Sequence, residues 1–206
     1  AAAAAGGHVA ALRYLDGIGM EWDVLDESVW NSAARHGHVE VLKFLHKHSG
    51  RDSYHGVMAG GVLISSAIFG GHIAAMRYLD EIGLEWDEDI NFLFDEAVCK
   101  GQLDALLWLE QNLGHDFYSV ADPRLLYSML RGAARGGHEE VVVHLLQRGC
   151  RWDMGGDQDE HQDGGLRNLI DEANVEGLKL MTKYGASWDN VSPSHIARAR
   201  QLGVLP

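Results

Sequence analysis

Cysteine, basic charge and long apolar runs are all scarce in this chain, and each shortage excludes something. Of 206 residues only Cys99 and Cys150 are cysteines, and they make no spaced pair. That rules out a disulfide framework, points to a reducing compartment, and leaves no paired-cysteine zinc signature. Lysine and arginine number 17 against 30 acidic residues, a formal charge of −13. A nucleic-acid reader carries a basic stripe, and this balance repels phosphate backbones instead. The longest apolar runs, such as Ala105 to Leu109, are far too short to cross a membrane. There is no G-x-S-x-G elbow, no P-loop and no cysteine with a catalytic signature. No cationic, apolar signal peptide opens the chain, which starts at Ala1 part-way through a pattern and is expected to be a piece of something longer. What is present is 46% apolar and 23% charged residues, the composition of a packed protein.

The dominant feature is repetition. With Ala33 as marker, the stretch from Ala33 to Leu45 recurs from Ala3, Ala67, Ala97, Ala133, Leu169 and Ala199, at spacings of 30, 34, 30, 36, 36 and 30 residues. Periods of this size mark solenoids. Each unit reads as a short helix, a tight turn, a longer helix and an extended loop. In the second helix, apolar residues fall at i and i+3 and share one face: Val9, Leu12 and Leu15; Val39, Leu42 and Leu45; Ile73, Met76 and Leu79; Leu103, Leu106 and Leu109; Val142 and Leu145; Val175, Leu178 and Met181. Tyr14, Phe44, Tyr78, Trp108 and Leu180 are expected to widen that buried stripe. Glu40 ahead of Lys43 and Glu176 ahead of Lys179 mark the solvated side. A glycine closes each helix, and Trp22, Trp86, Trp152 or Trp188 follows as a wedge between neighbouring loops. Ordering such a unit costs roughly 45 kcal/mol at ~1.5 per residue, so units must stack to persist.

These residues resemble ankyrin repeats. Ala33-Ala34-Arg35-His36-Gly37-His38 and Ala133-Ala134-Arg135-Gly136-Gly137-His138 match the family's A-A-x-x-G-H core. Gly149-Cys150-Arg151-Trp152-Asp153 and Gly185-Ala186-Ser187-Trp188-Asp189 match its closing motif, with Trp-Asp endings similar to the variants abundant in giant DNA viruses and some protists. The T-P-L-H start is nearly absent; the second unit has Ser28-Val29-Trp30-Asn31 there. The resemblance implies an all-α, ankyrin-type α-solenoid of stacked helix-turn-helix repeats with short finger loops. One domain spans 1–206: a partial repeat at 1–22, repeats at 23–52, 53–86, 87–117, 118–152 and 153–188, and a partial repeat at 189–206. Lengthened loops are expected around 53–62, 118–128 and 154–164, with Pro123 after Asp122 starting a helix.

Two constellations invite chemistry. His8, His38, His72 and His138 share one repeat position, but Gln102 and Asn174 occupy it in other units. Hydrogen bonding, not metal affinity, is what those side chains have in common, so the position is read as a turn brace. Asp159-x-His161-x-Asp163-Gly164 imitates the start of a calcium loop, but Ile170 stands where the bidentate carboxylate belongs. It is read as a solvated loop. No catalytic residue, metal or cofactor is expected.

The resemblance also implies a partner surface, built from the inner-helix ends and the fingers. By register its residues are Arg35 and His36, Phe69, Cys99 and Lys100, Arg135, and Asp171 and Glu172. Finger candidates are Val24, Leu25 and Asp26, and Glu88, Asp89 and Ile90. The function implied is a scaffold that binds a protein partner, with no catalysis, no nucleic acid and no membrane. It is expected as a monomer in the cytoplasm, the host's if the chain is viral. The alternative is the substrate-recruiting arm of a larger enzyme or ubiquitin-ligase adaptor.

Overall fold

The computed structural model describes residues 2–19, 26–49, 60–84, 90–112, 117–153 and 164–206. Among them there is helix and turn and no strand, so the all-α expectation holds. The helices are α1 (Ala2–Ala5), α2 (Val9–Gly17), α3 (Glu27–Arg35), α4 (Val39–Ser49), α5 (Gly60–Gly70), α6 (Ile73–Glu81), α7 (Ile90–Cys99) and α8 (Leu103–Asn112). They continue with α9 (Phe117–Val120), α10 (Pro123–Arg135), α11 (Glu139–Gln147), α12 (Gly164–Asp171), α13 (Val175–Lys183) and α14 (Pro193–Gln201). Two compact units result: residues 1–97 with 104–109, and residues 98–103 with 110–206.

In the first unit α3 packs between α1 and α5, while α4 lies against α2 and α6. In the second, α10 packs on α11 and α13, and α12 on α13 and α14. First helices stack on first helices at α1–α3–α5 and at α12–α14. Small marker residues make that possible: Ala33, Ala67, Ala97, Ala133 and Ala199 are fully buried. Most of the apolar stripe is sealed, with Leu42, Leu45, Met76, Leu79, Leu106, Leu109, Val142, Leu145 and Leu178 at 0% exposure, while Leu15 and the opening residues Val9, Val39, Ile73, Leu103 and Val175 are half-buried. Each such burial is worth about 2 kcal/mol before entropy. Phe44, Trp108 and Leu180 join them.

Tyr14 does not. It is 67% exposed. The equivalent Tyr78 is half-buried and reaches back to His46 of the preceding pair (3.0 Å). The lengthened segment around 118–128 also differs from a plain loop. Most of it is taken up by α9 and the start of α10, with Asp122 accepting from the Arg124 N–H (2.8 Å) and Pro123 opening the helix. Its proline is pre-set for a helix start and has no N–H to leave unsatisfied there.

The inter-helix turns are nearly identical. Gly7, Gly37, Gly71, Gly101 and Gly137 hold the left-handed conformation, with φ between 68 and 74°. In the last full turn Ala173 takes that place at φ 54°. In three of the repeats the residue after it braces the preceding turn. His38 Nε2 donates to the Ala5 carbonyl (2.8 Å), His138 Nε2 to Cys99 (3.1 Å), and Asn174 Nδ2 to Arg135 (2.8 Å). The hydrogen-bonding reading of this histidine position is therefore correct, and the bond it makes is between repeats.

Candidate interaction surface

Arg35 ends α3, directly after the buried Ala33 and Ala34, so the chain leaves the core there and turns its next two side chains to solvent. The Arg35 guanidinium lies 4.0 Å above the ring of Phe69, which ends α5 at the corresponding place and is 38% exposed. Phe92, on the first turn of α7, is 49% exposed. These three, with Ser65, Ser66 and Glu96, line a cavity of about 190 Å³. The serine hydroxyls are held inward: Ser66 donates to Asn31 Oδ1 (3.2 Å) and Ser65 to the Val62 carbonyl (3.1 Å). His36 donates through Nδ1 to the Ser32 carbonyl (2.8 Å) and lies parallel to His38 at 6.1 Å.

In the second unit Cys99, Lys100, Arg135, Asp171 and Glu172 are all exposed at the ends of their first helices. Arg135 and Glu172 form an ion pair at 2.6 Å. Asp171 faces His195 Nε2 at 3.5 Å. His195 is on α14, and register reasoning had not placed it beside the surface. Ser192 caps that helix and also contacts His195 Nδ1 (2.6 Å), and this Ser-x-x-His spacing was the available signal.

Among the finger candidates, the Asp26 carboxylate accepts from the Ser28 N–H at 2.9 Å and caps α3; hydrogen bonds from Ser28 hold it below its ordinary carboxyl value. Ile90 is half-buried at the start of α7. Val24, Leu25, Glu88 and Asp89 lie outside the described residues, as do Asp159, His161 and Asp163 of the acidic loop.

The most tightly built polar cluster is elsewhere, and sequence reasoning missed it. Glu110, at the far end of α8, has a side chain only 9% exposed. It accepts from Tyr118 OH (2.6 Å), from His144 Nε2 (2.6 Å) and from Arg148. Burial pushes its carboxyl up, but the hydrogen bonds from His144 and Tyr118 and the charges of His144 and Arg148 outweigh that and hold it below its ordinary value. Burial and the Glu110 bond push the Tyr118 phenol far above its usual range. Cys150 is likewise quenched, its thiol pushed up to about 11 by burial. Among the described residues no group of His, Cys, Asp and Glu is placed to hold a metal ion, and no helix is long and apolar enough to cross a membrane.

No family model and no curated protein matches the chain. Among solved structures, the crystal structure of the human ASB11 ankyrin repeat domain matches with a TM-score of 0.57 at 24% identity, over 94% of this chain and 86% of that one. The likeness shows the fold: helix pairs stacked in the manner of an ankyrin-repeat solenoid.

Proposed function

We propose that the chain uses an ankyrin-repeat frame to bind a protein partner across its first-helix ends, with no catalysis of its own. One observation carries this reading. At a fixed place in five repeats a buried apolar pair is followed by exposed residues that change in charge and size: Arg35-His36, Phe69, Cys99-Lys100, Arg135, and Asp171-Glu172. A constant frame presenting variable side chains is how a repeat protein acquires a specific surface. Interfaces concentrate energy in a few aromatic and arginine residues, and Phe69, Phe92, Arg35 and Arg135 are of that kind. The scarcity of cysteine suits a reducing cytoplasm, the host's if the Trp-Asp endings reflect a viral origin.

The test is selection of binders from a displayed peptide library, followed by the triple variant R35A/F69A/R135A. All three positions are exposed, so the fold, checked by circular dichroism, is expected to survive. Affinity is expected to fall at least tenfold. Unchanged affinity with an intact fold rejects this surface.

A further inference from the structure

Arg35 and Arg135 occupy the same position in two repeats, each directly after a buried Ala-Ala pair, yet they are partnered differently. Arg135 meets the Glu172 carboxylate at 2.6 Å, three places after the marker of the next repeat. The corresponding residue facing Arg35 is Gly70. A Cβ at Gly70 would come within 2.1 Å of the Arg35 carbonyl oxygen and 2.5 Å of His72 Cδ2. The turn thus forbids any side chain there, so this position supplies no counterpart to Glu172. Arg35 instead rests on the Phe69 ring at 4.0 Å and, among the described residues, makes no ion pair.

We infer that Arg35 is an acceptor site for a carboxylate of the protein partner, an Asp or Glu side chain seated where Glu172 sits beside Arg135, with an apolar neighbour lying against Phe92. This rests on the interaction reading above and names the chemistry of its central contact. A guanidinium stacked by its face keeps its N–H donors at its edge, oriented and available for a planar carboxylate. Stacking also fixes the side chain beforehand, which lowers the entropic cost of forming the pair. Phe92, 49% exposed on the same cavity, offers the apolar contact. Glu96 lines that cavity too but, among the described residues, is not paired with Arg35. The overall charge of −13 does not prevent this. Distant charges are screened beyond about 8 Å at physiological salt, while a contact pair is not.

The experiment uses the whole chain and a displayed library of random twelve-residue peptides. The strongest binders are resynthesised with each Asp or Glu changed to Asn or Gln, and affinities are measured against the wild type, R35Q and, as a control on the far side of the helices, K43Q. The expected result is one acidic position per peptide whose neutralisation weakens binding about tenfold to the wild type and to K43Q, but less than twofold to R35Q. F92A is expected to weaken the same peptides about fivefold. Peptides that bind through Phe69 and Arg135 with no dependence on any carboxylate, or whose dependence survives R35Q, overturn this inference and leave the interaction reading standing. A library that enriches no peptide at all overturns both.

Discussion

The two ends of α11 in the second unit are built on different physical terms. At its C-terminal end His144 and Arg148 converge on Glu110, whose side chain is 9% exposed. At its N-terminal end, roughly 13 Å away along the helix, the turn through Gly136 and Gly137 is open to water. The ion pair beside that turn, Arg135 with Glu172, has side chains 62% and 40% exposed. Both ends join one repeat to the next with charged groups. Burial decides what the joining is worth: an exposed pair gives up little when broken, while a buried carboxylate that loses its place leaves its donors stranded. Stability is therefore placed away from the surface that varies.

The sharpest way to break the comparison is Glu110→Ala. We expect a loss of about 2 kcal/mol in urea unfolding, short of the ~3–5 of a fully enclosed pair because Arg148 is 47% exposed. An effect below half a kcal/mol would remove the distinction between the ends. The acid limb of the stability curve should report the same cluster. Glu110 is harder to protonate folded than unfolded, so its contribution is present above the ordinary carboxyl value and lost as pH falls through the lower, folded one. E110Q should flatten that limb.

On the open side the expected changes are smaller and come from backbone. Gly137→Ala should cost about 1 kcal/mol, because φ is 74° and nothing lies within 4 Å of the added methyl to complicate the reading. Ala173→Gly, at the same turn position in the next repeat, should gain about 0.5–1 kcal/mol by relieving φ 54°. If both substitutions shift stability in the same direction, the turns are not equivalent. Smallest of all, Glu172→Gln should change unfolding by less than about 0.5 kcal/mol.

Periodic features were legible in the sequence because they are enforced by local geometry. Leu42, Met76 and Leu106 are sealed since a helix brings i and i+3 to one face wherever it occurs. The turn brace was legible as a hydrogen-bonding position, since His, Gln and Asn alternate there, although the sequence did not say that the bond runs to the preceding repeat. The Glu110 cluster was not legible. Its partners stand 8, 34 and 38 residues away and belong to no repeated pattern. Tyr14 was expected in the buried stripe and is 67% exposed, because a position-by-position pattern does not record what packs on each side chain. The exposed ends of the first helices were located correctly, but their pairing, Arg35 on Phe69 and Arg135 on Glu172, depends on residues in adjacent repeats.

The brace has a consequence for anyone wishing to transplant a segment of this protein. Because His38, His138 and Asn174 each hold on to the carbonyl of the turn before, a cassette cut from loop to loop there would carry a donor severed from its acceptor. The transferable piece runs from the carbonyl of one turn to the side chain of the next. Grafts that respect that seam should splice into a foreign array without a loosened joint.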